Sequence, residues 1–331
     1  MTMKKLLPFV ALFLLLLVGC TPTGDNIFNG STDVTQYYTY DNGEKYVPGE
    51  YAQTTEEIDS IDLNWINGTI SLKGEDRAGI TVREDYRPKS GFEPYSLHTY
   101  VENKTLYVRF MHQNLQISTS IPTKNLTVVV PKDFIFTKIK ISTRTASALV
   151  SDIGCDDFAF DSGGIGANLH TENCHYKSFF SNVTTGDTSV LSCSFTGKTE
   201  FVMGTGSVIL EDSDTALLKG TCRTGDLILL NSEIKKADVN VSLTGDCYFT
   251  DLVVIEDFSV SCSAGNFYVH LSPAMTEYTL QARSPFKVVY PENIPQTGET
   301  TIFLKTATGR IRFLEKEEIE NMLSPPEEKQ K

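Results

Sequence analysis

The sequence predicts an all-β chain coiled as a right-handed parallel β-solenoid, with rungs of about 20 residues and irregular β caps. Three observations predict it. One short phrase recurs: "VTTGDTSVL" (183–191), "MGTGSVILE" (203–211), "CRTGDLILL" (222–230), "SLTGDCYFT" (242–250) and "CSAGNFYVH" (262–270). The glycines of these phrases, with Ala146 and Ile165 as equivalents, follow one another at intervals of 19, 21, 20, 19, 20 and 20 residues, which is a solenoid period. Around each glycine the side chains alternate with the period of two that a strand requires, and no long segment has the 3.6-residue period of a helix.

With the glycine at position zero, positions +2 and +4 read Ala148/Val150, Ala167/Leu169, Thr188/Val190, Val208/Leu210, Leu227/Leu229, Cys247/Phe249 and Phe267/Val269, a mostly apolar pair of columns. Ahead of the glycine, Ile139/Ile141/Thr143, Phe158/Phe160/Ser162, Leu218/Gly220/Cys222 and Phe258/Val260/Cys262 give each rung a second strand. A rung this short returns beside its predecessor, so the strands stack in parallel, and right-handed coiling is the default for such crossovers. Val239, Val241 and Leu243 arrive one residue late. That slip would turn every side chain over unless a bulge near Leu243 and Thr244 restores the register.

The template reaches both ends, in "IDLNWINGTISL" (61–72) and "IFLKTATGRIRF" (302–313), with strand-like "TLYVRF" (105–110) and "LTVVVP" (126–131) between. One solenoid domain over 56–314 follows, with segments 85–125 and 272–300 as caps over its open edges.

The termini read differently. "MTMKKLLPFVALFLLLLVGC" has a basic start at Lys4 and Lys5, an uncharged apolar run from Leu6 to Val18, and small residues before Cys20, the layout of an export signal over 1–19. Leu17-Val18-Gly19-Cys20 resembles the bacterial lipoprotein signal, which implies an acylated Cys20 holding the chain on a bilayer without crossing it. Residues 20–55 then read as a flexible spacer that orders near Tyr46. At the far end 315–331, charged and containing Pro325-Pro326, reads as a frayed tail.

Two stretches carry a family resemblance: "KYVPGEYAQTTEEIDSIDLNWINGTISLKGEDRAGITVRED" and "KNLTVVVPKDFIFTKIKISTRTASALVSDI". They resemble the bacterial putative-adhesin family of β-strand repeat proteins, a domain of unknown function. The similarity covers about residues 45–314 and is most specific at Tyr46-Val47-Pro48-Gly49, Trp65 to Gly68 and Asn125 to Pro131. It implies a parallel β-solenoid outside the cytoplasm and supplies no catalytic residues.

The signal holds two of the 29 basic residues and none of the 42 acidic ones, so the mature chain carries a formal charge of −15. That excess argues against nucleic acid and bare anionic membrane as partners, and leaves cations and neutral glycans. Six cysteines follow Cys20. Cys222 and Cys262 fall two rungs apart, too far for a bridge, whereas Cys174 and Cys193 fall on neighbouring rungs, where a disulfide is geometrically allowed. No pair has metal-site spacing, His170 and His270 sit five rungs apart, and "HTENCH" (170–175) matches no ligand pattern.

Paired carboxylates are the tool of glycan-cleaving enzymes. Here Asp187, Asp226 and Asp246 follow the corner glycine, where aspartate caps local amides, and one per rung is too few oxygens for a calcium ladder. No residue is therefore assigned to catalysis, metal or cofactor. One outward column, at +3, does look like more than fold: Ile209, Ile228, Tyr248 and Tyr268, an apolar to aromatic stripe that would meet sugar rings or a surface protein unless a terminal segment covers it. The reading that results is a non-enzymatic lipoprotein on the outer face of a bacterial cell membrane, serving adhesion, envelope binding or stress-linked sensing. The alternatives are a carbohydrate-active enzyme on the same scaffold and a plain structural spacer.

Overall fold

The structure, a computed structural model, describes residues 36–54, 58–87, 93–117, 121–272, 277–290 and 298–324. The predicted signal and Cys20 lie outside the described residues. The described elements run from Gly43 to Leu323, beyond 56–314 at both ends.

It is a β-solenoid. Each central rung contributes a long strand to one parallel ladder, Ile135–Thr143, Gly154–Ile165, His175–Thr185, Ser194–Thr205, Asp214–Thr224, Ala237–Thr244 and Phe258–Ala264. A shorter strand joins a second ladder, Ser147–Ser151, Leu169–Glu172, Thr188–Leu191, Val208–Glu211, Leu227–Leu230, Cys247–Val254 and Phe267–Leu271. The expected bulge is present: Val241 and Thr244 face Cys222 and Thr224 on one side and Cys262 and Ala264 on the other, so this rung holds one extra residue. Leu243 is accordingly exposed.

One corner assignment changes. Leu169 pairs with Ala148 and with Thr188, which makes Ala167, and not the exposed Ile165, the equivalent of Gly186. The inward pair of that rung is therefore Leu169 and Thr171. The ladder to the next rung shifts register before it, between Ser162 and Ile165, and Gly166 follows at φ +79°.

A second corner, invisible in the glycine phrase, follows each short strand. Asp152, Asn173, Ser192, Asp212, Asn231 and Asp251 all have φ between 45° and 57°. Asparagine and aspartate tolerate this left-handed region better than most residues, because a short polar side chain can bond locally. After that corner a brief limb, such as His175–Tyr176 on Ser194–Phe195 on Asp214–Thr215 on Glu233–Ile234, leads back to the long strand.

Apolar columns fill the interior. Phe158 and Phe179 stack at 5.3 Å and 9°, Tyr176 and Phe195 at 5.5 Å and 23°, because parallel in-register strands set equivalent rings one above another.

The ends invert the chain order. Ser60–Trp65 lies between Thr105–Arg109 and Ile135–Thr143, and Gly68–Glu75 lies between Lys124–Pro131 and Ser147–Ser151, so the first-made rung is the second in space. At the other end Thr300–Thr306 inserts between Phe258–Ala264 and the outermost Tyr278–Arg283. Antiparallel strands finish the N-terminal edge: Val47–Pro48 and Thr105–Arg109 on His98–Glu102, and Tyr51–Thr54 and Lys124–Pro131 on Gly79–Glu84. Segments 85–125 and 272–300 thus contribute strands to these edges, but the outermost strands of the N-terminal edge are Val47–Pro48 and Tyr51–Thr54, from ahead of the predicted cap.

Order begins well before Tyr46. Tyr38 is fully buried, its hydroxyl 3.0 Å from Asn64 O and accepting the Phe110 N–H at 3.0 Å. The expected frayed tail starts instead with a helix, Lys316–Leu323, whose capping box pairs Glu315 with Glu318 and whose Ile319 is fully buried. Residues 325–331 lie outside the described residues.

Candidate functional site

The outward column stands in register on consecutive rungs. Ile209 pairs with Ile228, Ile228 with Tyr248, and Tyr248 with Tyr268, which pairs in turn with Arg312. All four stripe residues are half-buried. The helix covers other ground: Lys316 bridges Asp251 and Glu320 at the second corner. A groove of about 460 Å³ lies there, between the helix and Glu211, Asp212, Asn231 and Thr250.

Register decides how the tyrosines present themselves. Their rings stack on each other with centroids 5.1 Å apart and planes 17° apart. Two faces are therefore spent against one another, and the stripe offers ring edges and hydroxyls. The Tyr248 hydroxyl sits 3.4 Å from Asp246 Oδ2. Partial burial, then the Asp246 and Asp226 carboxylates, push the Tyr248 phenol well above its ordinary range, so it stays a donor at any physiological pH.

The neighbouring +1 column forms a second ladder. Asp187 N–H donates to Asn168 Oδ1, Ser207 N–H to Asp187 Oδ1, Asp246 N–H to Asp226 Oδ1, Asn266 N–H to Asp246 Oδ1 and Arg310 N–H to Asn266 Oδ1, all between 2.7 and 3.0 Å. The aspartates thus cap the next rung's amide, not their own. Asp226 and Asp246 stand on successive rungs, and burial followed by the Asp246 charge raises Asp226. Each, however, has one oxygen held by a backbone amide. The arrangement suits accepting hydrogen bonds from a bound molecule better than delivering a proton to a leaving group.

The six cysteines among the described residues are free, buried thiols. Cys174 and Cys193 do stack on neighbouring rungs: Ser194 N–H donates to Cys174 O at 3.0 Å, and the two thiols lie 3.1 and 3.2 Å from Glu172 O and Leu191 O of their own rungs. His170 pairs with Ser189 and so belongs to the outward +3 column, not to the column of His270, whose Nδ1 is 3.1 Å from Asp251 Oδ1. Among the described residues no three His, Cys, Asp or Glu side chains converge on a place for a metal ion.

Sequence reasoning missed the most heavily charged interior, at the N-terminal cap. Lys124 is fully buried, its Nζ 2.7 Å from Glu84 Oε2 and 2.7 Å from Tyr95 O, beneath Trp65 and Phe110. Arg109 bonds Asp62 at 2.7 Å and lies under Tyr40, Tyr46 and Tyr107. Both cations begin or end apolar strands, where a sequence reading assigns charge to the solvent side.

No family model matches this sequence, and no curated protein does. Among solved structures the chain is similar to a putative adhesin from Bacteroides fragilis, at 12% identity and TM-score 0.43 over 82% of this chain and 98% of that one. It is similar to a putative lipid binding protein from Parabacteroides distasonis, at 12% identity and TM-score 0.41 over 81% and 97%. A putative adhesin from Parabacteroides merdae follows, at 10% identity and TM-score 0.40 over 80% and 95%.

Proposed function

We propose that this chain is a non-enzymatic, adhesin-like surface scaffold, held on the outer face of a bacterial cell membrane by an acylated Cys20, that binds an envelope glycan along the Ile209, Ile228, Tyr248, Tyr268 flank. The observation that carries this reading is the register: four half-buried apolar and aromatic side chains line up on consecutive rungs, beside hydroxyl and carboxylate groups that accept hydrogen bonds. A rigid ladder with such a flank matches the repeat of an extended polymer. Because the tyrosine rings stack on each other, sugar recognition runs through ring edges, hydroxyls and Asp226 and Asp246, not through stacking on an open ring face.

Binding of the full chain to isolated cell-wall glycan tests this. Tyr248→Ser with Tyr268→Ser should abolish it while leaving the far-UV spectrum intact; unchanged binding overturns the assigned flank and favours a structural spacer. Cys20→Ala should release the protein from the membrane fraction, and retention there removes the lipid anchor.

A further inference from the structure

The terminal rungs reverse the charge of the chain. Among the described residues of 278–313, Arg283, Lys287, Lys305, Arg310 and Arg312 face a single acid, Glu299, in a protein with a net charge of −13. None of the five is ion-paired to a carboxylate among the described residues. On the flank itself Arg312 continues the stripe directly beyond Tyr268, and Arg310 takes the place in the +1 column that Asp226 and Asp246 hold further back.

The same place exposes an apolar patch. Residues 286–290 lie along the last strand: Val289 bridges to Arg312, its N–H donating to Ile311 O at 3.1 Å. Phe286, Val289 and Tyr290 are 50, 44 and 37% exposed, far more than side chains sharing an interior would be. Arg310 lies 5.7 Å from the Phe286 ring centre, and Tyr290 stacks one face on Phe313 at 5.2 Å and 13°. Among the described residues no later strand pairs beyond 286–290. Here, unlike at Tyr248, a ring can offer its other face.

We propose that this tip, formed by Phe286, Val289, Tyr290, Arg310 and Arg312, binds a carboxylate-bearing sugar of the glycan that the flank holds. A guanidinium fork fits a carboxylate with two parallel hydrogen bonds, and an exposed aromatic face beside it fits a sugar ring. The charge pattern sets the extent of the acidic part. A long polyanion would run on from Arg312 and Arg310 onto Asp246 and Asp226 and be repelled there, so the anion is local, one or a few acidic sugars, with neutral sugars along the stripe. The inference rests on the reading that the flank binds a glycan.

Calorimetry of the full chain with tri-galacturonate and with neutral galactotriose separates the two claims. The tip requires that tri-galacturonate bind about tenfold or more tightly than galactotriose, with an affinity that falls as salt rises. Arg310→Gln with Arg312→Gln should erase that preference and keep the thermal midpoint; Tyr248→Ser with Tyr268→Ser should weaken both sugars and keep the preference. Equal binding of the two sugars, or a preference that survives the arginine changes, overturns the tip while leaving the flank reading standing. Binding of neither sugar overturns both, and binding of phosphatidylglycerol vesicles in place of tri-galacturonate assigns the tip to lipid and overturns the sugar.

Discussion

Asp246 accepts the backbone N–H of Asn266, 20 residues on and one rung further along the solenoid, at 2.7 Å. Its own N–H is accepted by Asp226, one rung back, at 2.8 Å. Each carboxylate therefore fastens two rungs together at a corner where the strand ladder is interrupted. The cost is a stack of like charges, which adds to burial in raising the Asp226 carboxyl.

Replacement at these positions should separate the bond from the charge. Asp246→Ala leaves the Asn266 amide without its acceptor and should cost about 1–2 kcal/mol in urea unfolding. Asp226→Asn keeps the acceptor, removes the repulsion, and should stabilise the chain at pH 7 by about 0.2–1 kcal/mol. Because the folded Asp226 holds its proton more tightly than the unfolded one, stability is lost as pH rises through the carboxyl range, so the gain from asparagine is full at pH 7 and vanishes in acid. A gain that persists where all carboxyls are protonated would mean the charge stack is not its cause.

The corner glycines should not be equivalent. Gly225, at φ +136°, has no room for a methyl group, because a Cβ there would lie 2.0 Å from Gly206 O on the rung before. Gly225→Ala must push two rungs apart and should cost about 3 kcal/mol or more. Gly166, at φ +79° with nothing within 4 Å of a Cβ, carries only the left-handed backbone, and Gly166→Ala should cost about 1–2 kcal/mol. Equal costs in thermal unfolding would show that stacking distance does not set the requirement for glycine.

Lys124 and Glu84 should behave as one unit. Removing either partner strands a buried charge, so Lys124→Met or Glu84→Gln alone should cost about 3–5 kcal/mol, and the double change less than the sum. Burial, opposed by Glu84, brings the folded Lys124 ammonium down to about 8 from an ordinary 10.5. Between those values the unfolded chain binds more protons, so this group adds stability as pH rises from about 8 to 10.5. Lys124→Met should flatten that part of the stability profile; an unchanged slope would place the titration elsewhere.

Much of this was legible in one dimension. Alternation from Ile139 to Phe267 fixes which side chains face in, and the late arrival of Val239, Val241 and Leu243 fixes a bulge at Leu243–Thr244, because a strand has only two sides. The stripe was legible for the same reason. Ile165 misled because the period tolerates an extra residue, here between Ser162 and Ile165, and that irregularity shows only once the neighbouring strand is in place. The helix Lys316–Leu323 was hidden by its short length and high charge. A single buried side chain, Ile319, seats it against the corner.

By itself, then, the sequence determined the period, the inward columns and the outward column that includes Tyr248 and Tyr268, all of which depend on neighbours along one strand or at one constant interval. The tertiary structure decided what depends on residues at irregular separations: the inverted order of the end rungs, the ring faces of the two tyrosines turned together, the aspartates reaching to the next rung, and Lys124 buried against Glu84, 40 residues away. The physical reason is that a repeating pattern states which way a side chain points, whereas its partner, its burial and its charge environment are set by whichever rung comes to lie beside it.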